Sequence, residues 1–264
     1  MNRTIAHVSD LHLGRDRATD AATGGVVEAL REAEVDVVLV TGDVTHRGRR
    51  SELAAFERAF APIRDRTVVV PGNHDRLGED AGGGLIGEAR VVVEARPGLH
   101  LVRLDSTAPH NRALLSSHGE LSEGDIAAVE SAVDAAPPGS LVVLMLHHHL
   151  LPLPEDHLSE RLASLLGWPN AAELPLGRIL LERIRGRCDV VVHGHRHAAG
   201  ELVLPARAGR ALSVMNAGCT PELGRVRLLS HSAGRVIAER WLEIPIERPG
   251  VRPRLRSRPA PAAA

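Results

Sequence analysis

The chain has 264 residues, of which 44% are apolar and 25% are charged, a balance typical of a folded globular protein rather than a disordered or fibrous one. A formal net charge of −1 provides no general attraction for nucleic acid or membrane surfaces, and 2% aromatic residues without tyrosine disfavour a base-stacking platform. Every basic residue is arginine, which excludes catalytic lysine chemistry, whereas the 15 histidines are an excess that needs a reason.

The cysteine content and the hydropathy pattern bear on location. Two cysteines, Cys188 and Cys219, cannot form a disulfide framework, and we interpret them as small buried apolar residues. The chain has no run of about 18 apolar residues and no signal-like segment. We therefore expect a cytoplasmic protein without a membrane partner; the sequence does not determine its oligomeric state.

The first third of the chain alternates between short β-branched runs and helical patterns. Strands are predicted over Thr4–Ser9, Val35–Thr41 and Thr67–Val70. One helix, Ala21–Ala33, lies between the first two strands, and a second helix with Ser51 as its N-cap precedes the third. This β-α-β-α-β order predicts an α/β fold with parallel strands and crossover helices.

The remaining elements are mostly strands. Helices are predicted over Ser122–Ala135 and Arg178–Arg185. Further strands are predicted, in chain order, at Val91–Glu94, Leu99–Asp105, Leu141–Leu146, Asp189–Val192, Val203–Leu204, Ala211–Val214, Val226–Leu229 and Val236–Leu242. Because only turn residues separate the last four strands, we expect them to form a closing antiparallel meander.

Two segments differ from this pattern. Residues 150–176 carry four prolines and are too long for a simple connection, so we expect a lid or cap over a site, with a plain surface excursion as the alternative. Residues 247–264 are rich in Arg, Pro and Ala with little to bury, and we expect a disordered tail. The predicted domain therefore spans residues 1–246.

Polar side chains cluster where strands end. Five strands are followed by imidazole, carboxylate and amide side chains, in the runs Asp10-Leu11-His12, Gly42-Asp43 with His46 close behind, Gly72-Asn73-His74-Asp75, His147-His148-His149 and Gly194-His195-Arg196-His197. Because ligands bind at the carboxyl ends of parallel strands, we expect these groups to meet at one edge, and Gly42, Gly72 and Gly194 to allow close approach of the backbone. Seven donors without a thiolate exceed the needs of one tetrahedral ion and suit two ions that share a carboxylate.

These motifs, in this order, resemble the calcineurin-like metallophosphoesterases. The resemblance rests on Asp10-x-His12, Gly42-Asp43, Gly72-Asn73-His74-Asp75, His147 and Gly194-His195-x-His197, and it covers about residues 4–245. It implies a four-layer α/β/β/α sandwich of two mixed sheets. It also implies two divalent or mixed-valence metal ions, with manganese expected and iron or zinc as alternatives.

The resemblance also assigns roles to individual residues. One metal would take Asp10, His12 and His197, the other Asn73, His147 and His195, with Asp43 as the bridge. His74 would be the uncoordinated histidine that protonates the leaving oxygen, and Asp75 would orient it. Attack by a metal-bridging hydroxide on phosphorus is the implied mechanism.

Within that family the pattern is most like the bacterial class III cyclic nucleotide phosphodiesterases. Leu104-Asp105-Ser106 and Gly119-Glu120-Leu121-Ser122 resemble their middle section. A departure follows the fourth motif, where those enzymes have His-His-Pro-Pro and this chain has His147-His148-His149-Leu150, which leaves His148 as an alternative ligand.

Candidate substrate contacts lie in the loops that follow the strands, where specificity residues are usual. They are Arg47, His46, His110, Asn111 and His148, and a structural ion pair is the alternative role for Arg47. The expected function is hydrolysis of small phosphodiesters such as 3',5'-cyclic nucleotides. The alternatives are a DNA nuclease or a phosphomonoesterase of the same superfamily, and a non-catalytic scaffold of the same fold. The nuclease would have nucleic acid as its partner, which is less favoured.

Overall fold

Two β-sheets form the centre of the structure, a computed structural model that describes residues 2–108, 119–151 and 174–244. The strands are β1 Arg3–Val8, β2 Val37–Thr41, β3 Thr67–Val70, β4 Val91–Arg96, β5 Leu99–Leu104, β6 Leu141–Met145, β7 Val190–His193, β8 Gly200–Arg207, β9 Arg210–Asn216, β10 Arg225–Ser232 and β11 Arg235–Glu243. The α-helices in the described ranges are α1 Arg17–Glu32, α2 Arg50–Phe60, α3 Glu123–Asp134, α4 Gly177–Ile184 and the four-residue α5 Thr220–Leu223.

Both sheets are mixed. The first has the strand order β11-β10-β1-β2-β3, and the second has the order β4-β5-β6-β7-β9-β8. Strands β1, β2 and β3 are parallel, as are β5, β6, β7 and β9. Strand β10 pairs antiparallel with β1 and with β11, and β4 and β8 pair antiparallel with β5 and β9. The predicted α/β class with parallel strands and crossover helices is therefore confirmed.

Among the described residues, three apolar cores separate four layers of secondary structure. Side chains alternate across β1, so that Ala6 and Val8 pack with α1 and α2, whereas Ile5 packs with residues of the second sheet such as Leu101 and Met145. A third core lies between the second sheet and helices α3 and α4. Because each sheet is apolar on both faces, it must be covered twice, and the α/β/β/α sandwich follows.

Helix starts follow local hydrogen bonding, and two differ from their predictions. Helix α1, predicted from Ala21, begins at Arg17 because the Asp16 side chain accepts the Thr19 N–H and caps it. The Ser122 side chain accepts the Asp125 N–H and caps α3. Ser51, predicted as an N-cap, instead lies inside the first turn of α2, because the buried Glu52 carboxylate accepts the N–H groups of Arg47 and Arg49 and moves the start upstream. No helix in the described ranges has the length and apolar character that a bilayer crossing requires.

The predicted closing meander is wrong. The last four strands form two antiparallel pairs in different sheets, β8 with β9 in the second and β10 with β11 in the first. Between the pairs, residues 217–224 cross from one sheet to the other and include α5. Strand β9 is held in place by parallel pairing with β7, a long-range contact that turn spacing does not report.

Several predictions concern residues outside the described ranges. The lid assigned to residues 150–176 falls largely on 152–173, and the tail assigned to 247–264 falls within 245–264. His110 and Asn111 likewise lie outside the described residues. The domain boundary at 246 and the lid are therefore still proposals.

Two glycines with open surroundings provide a test of backbone conformation. Gly24 is inside α1, and a methyl group there would contact nothing within 4 Å; the same holds at Gly139, but its φ is +81°. Gly24→Ala should raise the free energy of unfolding by ~0.5–1 kcal/mol because alanine loses less entropy in a helix. Gly139→Ala should lower it by ~1–2 kcal/mol because a Cβ is disfavoured in the left-handed region. Urea unfolding measures both, and equal effects would contradict this explanation.

Candidate metal centre

All seven predicted ligands lie in one cluster. They project from the loops after β1, β2, β3, β6 and β7, so that three loops of the first sheet face two loops of the second. The expectation that one sheet edge supplies them is therefore wrong, because the pairing separates β1–β3 from β6 and β7. Six of the seven lie largely out of solvent, whereas the side chain of His197 is 46% exposed.

The first group consists of Asp10, His12 and His197. The Nε2 atoms of His12 and His197 face each other at 3.3 Å, and the Asp10 Oδ1 atom lies 3.8 Å from His197 Nε2. Asp10 Oδ1 is buried and has no hydrogen-bond partner, while its other oxygen, Oδ2, accepts the N–H of His195. A buried carboxylate oxygen without a donor is costly, so this group of atoms fits a cation.

The second group consists of Asn73, His147 and His195. The Asn73 Oδ1 atom lies 3.1 Å from His147 Nε2 and 3.0 Å from His195 Nδ1. The Nδ1–H of His147 donates to the Thr41 carbonyl at 2.7 Å, so in the neutral ring Nε2 carries a lone pair directed at an amide oxygen. Two hydrogen-bond acceptors in contact require a proton or a cation between them. These ligand atoms therefore also fit a metal ion.

Asp43 lies between the two groups. Its Oδ2 atom is 3.8 Å from His12 Nε2 and 3.5 Å from His147 Nε2, one imidazole from each group. Its Oδ1 atom accepts the backbone N–H of His74 at 2.8 Å, which fixes the orientation of the carboxylate. The geometry of Asp43 therefore suits a ligand shared by two cations.

Burial and charge set the protonation of these groups. Burial lowers the pKa of His12 to about 3 and lowers that of His195 well below its usual value, so both rings are neutral. For Asp43, burial opposes ionisation, but the neighbouring imidazoles of His147, His74 and His12 together outweigh it and hold the pKa of the carboxyl well below its usual value. The same pairing, against the effect of burial, raises the pKa of His147 to about 9. In this structure a proton on His147 therefore balances Asp43, and a cation would replace that proton.

The backbone at the cluster adopts rare conformations. Asp10, His12, Asp43 and His195 all have positive φ, at 54°, 46°, 50° and 70° respectively. Residues with a Cβ seldom occupy this left-handed region, and such conformations concentrate at functional sites. The surrounding structure holds four of the seven predicted ligands in disfavoured geometry.

Two positions next to predicted ligands require glycine, because neighbouring side chains approach the backbone closely there, as we predicted from the sequence. A Cβ on Gly194 would lie 1.8 Å from the Ser9 Oγ atom and 2.5 Å from the Asp10 Oδ2 atom. Gly42 has a φ of +89°, and a Cβ there would lie 2.5 Å from the His147 Nδ1 atom. The absence of a side chain at these positions is what lets the two sheets bring their loops together.

His74 and Asp75 differ from their predicted arrangement. The Nδ1–H of His74 donates to the His46 carbonyl at 2.7 Å, and the ring centroid lies 4.6 Å from that of His12. The Asp75 carboxylate, expected to orient this ring, instead accepts the Thr45 N–H and hydroxyl and the Gly72 N–H. Asp75 is fully buried beneath the loop, so it positions the backbone around the site, and the His46 carbonyl orients His74.

The predicted substrate contacts in the described ranges differ in their exposure to solvent. The His46 ring stacks on His74 with centroids 5.7 Å apart, and Arg47 is exposed beside it. His148 is buried with its Nδ1 atom 2.9 Å from the Ser106 Oγ atom, and its ring centroid lies 4.8 Å from that of His195. His46, Arg47 and His148 thus lie at or next to the cluster.

Sequence reasoning missed the residues that support the cluster from behind. Ser106 Oγ accepts the N–H groups of both His147 and His148, so its own hydrogen is directed to His148 Nδ1. Cys219, interpreted as apolar filling, donates its thiol hydrogen to the Asp10 carbonyl at 3.2 Å. The sequence indicated Ser106 only as part of the Leu104-Asp105-Ser106 motif, and no local pattern indicates the supporting role of Cys219.

A family model described as calcineurin-like phosphoesterase matches residues 3–199 of this chain. A "Probable cyclic nucleotide phosphodiesterase" of Psychrobacter arcticus is 26% identical over 218 residues, which cover 73% of each chain. The "3',5'-cyclic adenosine monophosphate phosphodiesterase CpdA" of Escherichia coli K12 is 32% identical over 135 residues, 48% of this chain and 46% of that one. A further probable cyclic nucleotide phosphodiesterase, from Vesicomyosocius okutanii, matches at 29% identity over 80 residues, 28% of this chain and only 34% of its own length.

Solved structures share the fold. A dimetal phosphatase from Danio rerio superposes with a TM-score of 0.60 and 14% sequence identity, and the match covers 92% of this chain and 99% of that one. A purple acid phosphatase from yellow lupin gives a TM-score of 0.59 at 12% identity over 92% of this chain and 54% of that one. At these identities the similarity establishes the fold of the chain and nothing finer.

Removal of the Asp75 carboxylate tests its support of the backbone. Asp75→Ala leaves the buried N–H groups of Thr45 and Gly72 without an acceptor, so the free energy of unfolding should fall by at least ~1–3 kcal/mol. Urea unfolding measures the loss, with Asp65→Ala, an exposed carboxylate, as the matched control. Equal stability of the two variants would contradict the assignment.

Proposed function

The chain belongs to the calcineurin-like phosphoesterase family, and we propose that it hydrolyses phosphodiester bonds of small molecules, with 3',5'-cyclic nucleotides as the substrate class. One observation carries the proposal: seven nitrogen and oxygen ligand atoms converge, Asp10 Oδ1 is buried without a hydrogen-bond partner, and Asp43 lies between the two groups. The substrate class draws on the names of the cyclic nucleotide phosphodiesterases to which the chain is similar.

Two divalent cations would be held by the two groups of donors. Asp10, His12 and His197 would hold one, Asn73, His147 and His195 the other, and Asp43 both. Imidazole, carboxylate and amide donors without a thiolate suit manganese, iron or zinc, and manganese is the metal we propose. When bound, such a pair supplies Lewis acidity toward phosphoryl oxygens and lowers the pKa of coordinated water.

The charge balance of the site favours an anionic substrate. Asp10 and Asp43 are the carboxylates among the seven donors, so two divalent cations would leave the centre with excess positive charge. A phosphodiester monoanion would complement that charge. We propose that His46, exposed Arg47 and His148 contact the substrate around this centre, since they lie at or next to the cluster.

His74 is the proposed proton donor to the leaving oxygen. Its Nδ1–H is committed to the His46 carbonyl, so Nε2 is the atom that gains and gives the catalytic proton. The ring is half-buried and packs edge-on against His12, which places it beside the ligands without belonging to either group. The fixed Nδ1 contact holds the ring in one orientation and lowers the entropic cost of proton transfer.

The experiment that tests the function is a substrate panel on protein reconstituted with Mn²⁺. Bis-p-nitrophenyl phosphate and 3',5'-cyclic nucleotides should be hydrolysed, and p-nitrophenyl phosphate and supercoiled plasmid should be poor substrates. Nicking of the plasmid as the main activity would favour a nuclease, and preference for the monoester would favour a phosphatase. No hydrolysis at any accessible pH would favour a non-catalytic scaffold.

The role of His74 has its own test. His74→Asn should lower kcat on bis-p-nitrophenyl phosphate by ~10²–10⁴ because the leaving oxygen loses its proton donor, while the metal content stays unchanged. His231→Asn, a buried histidine that pairs in register with Arg3 at the far end of β1, is the matched control and should keep full activity. An unaltered kcat in His74→Asn would remove this residue from the mechanism.

The shared role of Asp43 is tested by metal analysis. Asp43→Asn removes the negative charge that faces one imidazole of each group, so occupancy of both metal positions should fall. Elemental analysis after dialysis against Mn²⁺ counts the ions in the wild type and in the variant. Loss of a single ion would indicate a terminal ligand, and full occupancy would contradict a ligand shared by both ions.

A cytoplasmic location is proposed on the state of the cysteines. Cys188 and Cys219 are both buried and unpaired in the described part of the chain. Free buried thiols are usual in reducing compartments.

A further inference from the structure

The short turn after β9 is packed against both loops that carry the first group of predicted ligands. Thr220 exchanges hydrogen bonds with Ser9, its N–H donating to the Ser9 carbonyl and its hydroxyl accepting the Ser9 N–H at 2.9 Å. Cys219 donates its thiol hydrogen to the Asp10 carbonyl and its N–H to the His197 carbonyl, at 3.2 and 3.3 Å. The turn therefore fixes the backbone on which Asp10 and His197 are mounted.

Glu222 is in the same turn and faces the outer nitrogen of His197. Its Oε2 atom lies 3.7 Å from His197 Nδ1, and its Oε1 atom accepts a hydrogen bond from Arg15 at 2.5 Å. The Arg15 guanidinium also contacts Asp16 and the Thr19 hydroxyl at the start of α1. The carboxylate is thus anchored by one oxygen and presents the other to an imidazole.

The ring of His197 is much more exposed to solvent than the ring of His147. The Nδ1–H of His147 donates to the Thr41 carbonyl, and that ring is fully buried. The side chain of His197 is 46% exposed, and within the described ranges the acceptor that faces its Nδ1 atom is the Glu222 carboxylate. Without this contact, packing alone would hold a half-exposed ring weakly.

We propose that Glu222, anchored by Arg15, is a positioning residue that orients His197 and selects its Nδ1–H tautomer, leaving the Nε2 lone pair directed at Asp10 and His12. The inference rests on the proposed metal centre and adds to it a residue outside the seven ligands. A histidine ligand whose other nitrogen donates to a carboxylate is a more basic and better-oriented ligand. Because Arg15 neutralises Glu222, the arrangement adds orientation without adding net negative charge to the site.

The arrangement also joins distant parts of the chain. Arg15 and Glu222 are 207 residues apart in sequence, and their ion pair connects the loop after β1 to α5. His12 lies in the loop after β1. The His197 carbonyl accepts the N–H of Cys219, the residue directly before α5. The ion pair therefore stabilises the 3.3 Å approach of the two Nε2 atoms.

The test compares Glu222→Ala, Glu222→Gln and Arg15→Ala with wild type. Free Mn²⁺ measured by electron paramagnetic resonance gives the number of ions bound and the affinity of each position. Glu222→Ala should weaken one position ~10–100-fold and leave the other unchanged. Glu222→Gln should lose less, because its amide oxygen can take the place of the carboxylate oxygen that faces the Nδ1–H, and Arg15→Ala should fall between them. Glu28→Ala, an exposed carboxylate bonded to Arg31 on α1, is the matched control.

A second readout separates orientation from general damage. Long-range ¹H–¹⁵N correlation spectra of the zinc-loaded protein report the protonated nitrogen of each imidazole. His197 should be the Nδ1–H tautomer in wild type and Glu222→Gln, and Glu222→Ala should alter its Nδ1–H resonance while the other histidine signals persist. This result in a variant that unfolds like wild type supports the proposal.

Two results would overturn the inference, and they are distinguishable. If wild type binds two Mn²⁺ ions and Glu222→Ala binds both with the same affinity and an unchanged His197 spectrum, Glu222 has no positioning role and the metal centre stands. If wild type itself binds no Mn²⁺, the proposed function fails and the inference fails with it.

Discussion

The structure depends on one electrostatic constraint, which is that imidazole and amide groups and two carboxylates converge in a largely buried cluster with few protons between them. Asn73 faces two imidazole nitrogens, and Asp10 has a buried oxygen without a donor. Such an arrangement is unfavourable in a low-dielectric interior. Cations are the partners that would convert this mutual repulsion into binding, and the proposed hydrolytic activity follows from their presence.

The fold maintains this arrangement by bringing two sheets together rather than by extending one. Parallel strands of each sheet end at the same side of the sandwich, and the apolar core between the sheets fixes their separation. Gly42 and Gly194 then permit contacts that no side chain would allow. The left-handed conformations of four predicted ligands are the cost of this closeness, and the packed cores offset that cost.

A layer of supporting groups gives several of the predicted ligands one fixed side and one available side. Asp43 accepts a backbone N–H at one oxygen, and His147 donates to a backbone carbonyl from one nitrogen. In our proposal Glu222 has the corresponding role for His197, whose half-exposed ring has its Nδ1 atom 3.7 Å from the Glu222 carboxylate. Orientation before binding reduces the entropy that a ligand must lose when a cation arrives.

The sequence alone determined the strand–helix alternation, the chain position of every predicted ligand, and the need for glycine beside Asp43 and His195. These features are local, because the period of side chains and the turn signals at strand ends are set by neighbouring residues. The tertiary structure decided which sheet each late strand joins, that Asp75 supports backbone instead of His74, and that Arg15 meets Glu222. Those outcomes depend on contacts between residues far apart in the chain, whose formation is governed by packing of whole layers and leaves no trace in local spacing.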